Sequence, residues 1–157
     1  LKNPTASAYL ANRLTYLLGE PVLHSGWNPD FRHAVLFKKS DYRYTDRKVH
    51  EGFTTSGEVE KLKNSFKHFS FPTLATLMAK EKQYAELGAE TMLGKNKKIS
   101  PLRGLGHGTW AFLRHYVIRR GFLDGWKGFL IGVSAFHTTF YRYLIACEMK
   151  KSSDARK

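Results

Sequence analysis

The sequence predicts an α/β protein, α+β in this stretch: a few mixed strands followed by about three helices, the last two amphipathic. Three observations carry this. Up to Phe71 the apolar residues come in short runs broken by turn residues, the length and spacing of strands. From Pro72 the apolar period lengthens to that of a helix, with Leu74, Leu77, Met78, Tyr84 or Ala85, and Gly88 along one stripe. Apolar residues make up 42% of the 157, enough for one packed domain and too many for a disordered chain. The expected division is a strand-rich half, 1–71, and a helical region, 72–157.

In order, Ser7-Ala8-Tyr9-Leu10 reads as a strand, and Asn12 to Leu18 as a turn or short helix closed by Gly19. Pro21-Val22-Leu23-His24 reads as a short strand before a turn at Gly26. Pro29 fixes its own φ and biases Asn28 to extended geometry, which holds Trp27 and Asp30 in place. Residues 31–37 are the best strand candidate, centred on Ala34-Val35-Leu36-Phe37. Residues 38–48 are polar and basic, a loop or edge hairpin. Over 58–69, Leu62, Asn64, Phe66 and His68 alternate with Lys61, Lys63 and Lys67, the pattern of an edge strand guarded by lysines.

In the helical region Pro72 fits a first turn. Lys95-Asn96-Lys97-Lys98 lies in a basic connector. Ser100-Pro101 has the form of an N-cap followed by proline at the first helical position. Gly104, Gly106 and Gly108 weaken the start of that helix. Trp110, Leu113, Tyr116 and Val117 give it an apolar face, and Gly121 stops it. Asp124 is placed to cap a last helix reaching about Lys150. Its Phe129-Leu130-Ile131-Gly132-Val133 core is apolar, but His137, Thr138, Thr139 and Arg142 interrupt the ~20 apolar residues a spanning helix needs. A helix packed on the domain or lying in an interface is expected.

Lys and Arg number 26 against 13 Asp and Glu, a net charge of +13. Such a balance points to polyanions: nucleic acid, nucleotide phosphates or an anionic membrane face. The one cysteine, Cys147, excludes an internal disulfide and a cysteine-based zinc site. Gly104-Leu105-Gly106-His107-Gly108 has neither the Lys-Ser/Thr end of a phosphate loop nor dinucleotide-binding spacing. No serine nucleophile elbow is present. The chain starts at Leu1 without a leader pattern, as expected of a processed product or part of a longer protein.

Four places could carry chemistry. In Asp46-Arg47-Lys48-Val49-His50-Glu51, a carboxylate at a loop edge can take a proton from a hydroxyl nucleophile while the adjacent imidazole orients it; an exposed acid beside an exposed histidine is the plainer reading. In Ser25-Gly26-Trp27-Asn28-Pro29-Asp30, the indole offers a sugar a stacking face and Asp30 can bind hydroxyls, or Asp30 serves the turn's own amides. His68 is a core histidine or a metal ligand. Trp110, Arg114, Tyr116, Arg119 and Arg120 combine aromatic and basic groups suited to phosphate or headgroup contact, or form a core helix with a solvated basic face. Interleaved basic and aromatic residues also fit a nucleic-acid-binding module, and a non-catalytic scaffold fragment is a third possibility.

Taken together, the stretches resemble a known signature. Tyr9 through Gly19, His24-Ser25-Gly26-Trp27-Asn28-Pro29-Asp30 and Leu36-Phe37-Lys38-Lys39 resemble a tyrosine, an Arg-Asn-rich piece, Gly-Gly-Trp-Tyr-Pro-Asp and Arg-Leu-Phe-Arg-Arg. Asp46 to Glu51 resembles a Val-His-Glu box, and Leu62 to Phe71 a Leu-x-His-Tyr-Ser-Tyr strand end. Arg119 to Gly128 resembles Gly-Phe-Leu-Asp-Gly-Trp-Arg-Gly. These are blocks of the lipopolysaccharide-core β-glucosyltransferase type within glycosyltransferase family 2. The resemblance implies the C-terminal, acceptor-side half of a GT-A fold. The donor half, with an Asp-x-Asp motif holding the nucleotide sugar through Mg or Mn, has no counterpart in this sequence and would precede it or come from a partner chain.

The resemblance also implies roles. Glu51 is the base and His50 its orienter. Trp27, Asp30, Arg32 and Arg47 contact substrate, and His68 approaches the metal or pyrophosphate. Trp110, Arg114, Arg119, Arg120 and Trp126 face an anionic membrane, as expected of a peripheral protein on the cytoplasmic face. The acceptor would be an envelope or lipid-linked saccharide. Two departures stand out: Asn28 replaces the signature's Tyr, and Arg32-His33-Ala34-Val35 holds one extra residue and lacks the following Arg, leaving Arg32 or Lys38 to take its phosphate contact.

Overall fold

The computed structural model describes residues 4–32, 34–44, 53–95 and 97–155. Its strands are β1 (Ala8–Leu10), β2 (Arg13–Leu17), β3 (Glu20–Pro21), β4 (Ala34–Phe37), β5 (Tyr42–Tyr44), β6 (Phe53–Thr55), β7 (Val59–Lys61) and β8 (Phe66–Phe71). Its α-helices are α1 (Leu74–Gly94), α2 (Pro101–Leu113) and α3 (Trp126–Asp154). The mixed α/β composition, strands first and helices after, matches the expected α+β class.

Two small mixed sheets are built side by side. β1 pairs antiparallel with β4 and parallel with β7. β2 pairs antiparallel with β3 and parallel with β8. β5 and β6 form a separate antiparallel pair. The expected single strand over 58–69 is two strands, one in each sheet. The break falls where the chain steps from β1 to β2, with Leu62 N–H donating to Leu10 O (2.7 Å) and Phe66 N–H to Asn12 O (3.0 Å).

The turn or short helix expected over 12–18 is instead β2. Thr15 and Leu17 alternate into the interior while Tyr16, on the other face, packs against Phe69 at 4.7 Å between ring centroids. What looked like a helix stop at Gly19 is a two-residue hairpin loop. Leu18 (φ 52°) and Gly19 (φ 85°) both adopt the left-handed conformation that matches strand twist. The strand expected over 31–37 begins at Ala34 and lies at a sheet edge, with Val35 and Leu36 exposed.

α1 starts at Thr73, whose hydroxyl accepts from Thr76 N–H; Pro72 stands before this cap rather than in the first turn. Ser100 caps α2 through Arg103 N–H with Pro101 following, as the sequence predicts. A π-helical turn, Arg114–Ile118, and a 3-10 turn, Gly121–Asp124, lead into α3. The residue that caps α3 is Gly125 (φ 62°), and Asp124 makes no capping bond. The reason is that its carboxylate is committed elsewhere.

α3 packs against α1 and α2. The core centres on Leu17, Val22, Leu77 and Ile131, joined by Leu18, Trp27, Phe71 and Leu130, so strands and helices share it. Among the described residues no helix is long and apolar enough to cross a membrane.

Candidate functional site

The turn over 23–26 is held by groups a hundred residues away. Ser25 (φ 59°) and Gly26 (φ 73°) are both left-handed, and Trp27 N–H closes the turn on His24 O at 3.0 Å. Such a turn leaves successive N–H groups pointing outward, and each needs an acceptor. Asp124 supplies it. Its carboxylate accepts from Leu23 N–H (3.0 Å), His24 N–H (2.9 Å) and Ser25 Oγ (3.1 Å), and meets His24 Nδ1 at 3.1 Å. The side chain is 4% exposed.

His115 donates from Nδ1 to Ser25 O at 2.7 Å; a carbonyl only accepts, so Nδ1 carries the proton. Burial first, then Arg119 and Arg114, lower its pKa, with the Ser25 carbonyl pulling the other way. Ser25 N–H donates to Arg119 O at 3.0 Å, and the Arg119 side chain occupies the space a Cβ on Gly26 would fill. Lys127 Nζ donates to Glu20 Oε2 (2.6 Å) and Pro21 O (3.3 Å).

Asp30 is the hub at the other end of the turn. Oδ2 accepts from Arg13 Nε (2.9 Å), Arg13 Nη2 (2.6 Å) and Arg32 Nη2 (2.8 Å); Oδ1 accepts from Arg32 Nε (2.8 Å) and Arg32 N–H (3.2 Å). Burial pushes this carboxyl up, but the bonds from Arg32 and Arg13 more than reverse it and hold it well below the usual carboxylate range. Asn12 locks the same corner: its Oδ1 accepts from Asp30 N–H (2.8 Å), and its Nδ2 donates to Asn28 Oδ1 and Ser65 Oγ, both at 2.9 Å. With its lone pairs taken, Asp30 acts by aiming two guanidinium groups. Arg32, with a 59% exposed side chain against 24% for Arg13, is the more open of the two to solvent. The cluster carries two positive charges against one negative and can receive an anionic or hydroxyl-rich ligand.

Trp27 is half-buried, its indole packed on Phe71 at 5.4 Å between ring centroids, so one face belongs to the core. His68 lies on β8 opposite Thr15 in the register. Burial and Arg13 lower its pKa while Asp30 raises it. The carboxylate within its electrostatic reach is therefore the one already saturated by two arginines. Among the described residues no group of three His, Cys, Asp or Glu could hold a metal ion.

Glu51, His50 and Arg47 lie outside the described residues. Trp110, Arg114, Arg120 and Trp126 are exposed, and Arg119 is half-buried against Gly26. A cavity of about 790 Å³ is lined by Glu86, Glu90, Ile145 and Glu148, among others, and by none of the residues above. Sequence reasoning did not single out Arg13 or His115, nor the clamping role of Asp124. The signal available for Asp124 was its acid between two turn glycines, Gly121 and Gly125, which reads equally as a cap. No family model matches the chain, and no solved structure matches it.

Proposed function

We propose that this chain is the acceptor-side portion of an inverting glycosyltransferase of the family 2 type. It would transfer a sugar from a nucleotide-sugar donor to a lipopolysaccharide, another envelope saccharide or a lipid-linked acceptor. The observation that supports this best is the Asp124 clamp. Two blocks on which the resemblance rests, His24 to Asp30 and Arg119 to Gly128, form one structural unit.

In this reading an acceptor hydroxyl oxygen attacks the anomeric carbon of the donor. The new C–O bond forms on the face opposite the nucleotide diphosphate, which departs with the bonding electron pair. The hydroxyl proton passes to Glu51, with His50 orienting that carboxylate. Arg32, aimed by Asp30, binds the acceptor, and Trp27 offers it the remaining indole edge. The Mg or Mn implied by the resemblance would be held chiefly by the donor half, which has no counterpart in this sequence.

Titration of the chain with a phosphorylated core oligosaccharide from lipopolysaccharide tests the acceptor assignment. Backbone amide resonances from His24 to Arg32 should shift together, and Arg32→Ala should weaken the response about tenfold, the loss of one charge-assisted contact. Shifts confined to other residues, or none up to roughly millimolar ligand, would remove the acceptor role.

A further inference from the structure

We propose that the outer face of α2 and the turn at its C-terminal end form a docking surface for an anionic lipid bilayer, with α2 lying flat in the headgroup region. The packing of α2 is inverted. A helix on a water-facing surface turns large apolar side chains inward and polar ones outward. In α2 the buried residues are Gly104 and Gly108, both against α3, flanked by His107 stacked on Tyr143 and Phe112 packed on Gly132 and Phe129. A Cβ at Gly104 would press on Tyr143 and Phe140, and one at Gly108 on Phe136. Leu102, Leu105 and Leu113 face outward on one stripe, separated by three and eight residues, with Trp110 beside them. All four are exposed, Leu102 to 78%. Glycines at the closest helix approach with large apolar side chains turned outward is an arrangement shared with helices packed within lipid.

The apolar surface continues past the helix. Val117, Ile118 (59% exposed), Phe122, Leu123 and Trp126 (58%) are all turned to solvent in the connection to α3. Isolated exposed apolar residues are ordinary, but a run of this extent marks an interaction site.

Charge selects the occupant. From Thr91 to Cys147 the only carboxylate is Asp124. That carboxylate is buried under the turn at residues 23–25, its oxygens taken by the donors there. Arg103, Arg114 and Arg120 stand exposed along the same surface, and Lys95, Lys97 and Lys98 precede it. A second copy of this face would repel the first. Nucleic acid would meet the cations and stack on Trp110, but has no use for six exposed aliphatic side chains. Anionic lipid satisfies both: phosphates for the arginines and acyl chains for Leu, Ile and Val. The proposal deepens the membrane-facing role that the transferase reading implies for this region, but its test needs neither donor nor acceptor saccharide, so the two can fail separately.

Co-sedimentation of the full chain with vesicles tests it. Vesicles of phosphatidylcholine mixed with phosphatidylglycerol should bind at least about tenfold more tightly than phosphatidylcholine alone, and high salt should weaken that binding. Arg114→Glu with Arg120→Glu should remove the preference for anionic lipid. Ile118→Asp with Leu123→Asp should cost at least about tenfold, since both side chains are exposed and would be buried only in lipid. A variant that misfolds is bypassed by the unmodified chain, whose tryptophan emission should be quenched by lipids brominated on the acyl chain. Equal binding to neutral vesicles would overturn the proposal. So would no change in the apolar variant, absence of quenching, a dimer without vesicle binding, or an oligonucleotide bound where vesicles are not.

Discussion

The carboxylate of Asp124 accepts a hydrogen bond from the backbone N–H of His24 at 2.9 Å, across a separation of 100 residues. With the bonds from Leu23 N–H and Ser25 Oγ it makes one acidic side chain the anchor of a left-handed turn. Asn at this position would keep one acceptor oxygen and turn an N–H₂ toward the remaining donors. Asp124→Asn should therefore destabilise the fold by roughly 2–3 kcal/mol, read as a lower urea midpoint. Amide exchange should rise selectively at residues 23–26. A variant as stable as the parent, with those amides still protected, would show that the clamp contributes nothing.

Asp30→Asn leaves Arg13 and Arg32 without their shared carboxylate. Breaking a buried ion pair costs about 3–5 kcal/mol, but both arginines keep contact with water, so roughly 2 kcal/mol is expected. The sign with pH follows from the lowered pKa of Asp30. Its contribution is complete above the ordinary aspartate value of 3.8 and is lost as pH falls below that. Stability curves of parent and variant should converge only in strong acid; convergence near neutrality would contradict this.

His115 gives a second pH test. Its pKa is lowered from the ordinary histidine value of 6.5, chiefly by burial. Above that value the imidazole is neutral in both folded and unfolded chains and its contribution is whole. As pH falls below it the unfolded chain takes up the proton first, and stability drops. His68 shifts in the same direction, so the comparison must be with His115→Asn, which can still donate to Ser25 O. The parent should lose more stability than the variant between about pH 7.5 and about pH 5.5. Equal losses would assign the effect to other groups.

Gly128 packs against the backbone carbonyl of Gly121, and a Cβ there would overlap that oxygen. Backbone cannot rotate away as a side chain can, so Gly128→Ala should cost at least about 3 kcal/mol, the upper end for overpacking. At Gly26 the obstructing group is the flexible Arg119 side chain, but φ is +73°. Gly26→Ala should then cost about 1–2 kcal/mol. Thermal melts of the two variants should rank in that order.

The start of α2 was legible because its cap is local: Ser100 followed by Pro101 is read from adjacent residues. The hairpin at Leu18-Gly19 was not legible, since nothing about leucine announces a left-handed conformation, and Gly19 alone also fits a helix stop. Asp124 was misread for a related reason. An acid before a helix has a local use as a cap, and only the folded chain reveals a stronger competing demand from residues 23–25. The turn around Asp30 was visible as a place where Pro29 fixes an acid. That both its oxygens go to Arg13 and Arg32 depends on strand register, which the sequence leaves open. The exposed stripe of α2 is half visible in the sequence: its aromatic and basic residues can be read there, but Gly104 and Gly108, which read as helix weakeners, lie against α3, while Gly106 does not.

The most direct test of the proposed transferase function is sugar transfer by the protein together with the donor-binding half that the proposal calls for, before and after Glu51→Gln. The account predicts that the parent moves sugar from nucleotide donor to a lipopolysaccharide-type acceptor, and that the variant binds donor equally well yet loses transfer by at least about a hundredfold. Undiminished turnover in the variant, or a parent that binds no nucleotide sugar, would contradict it.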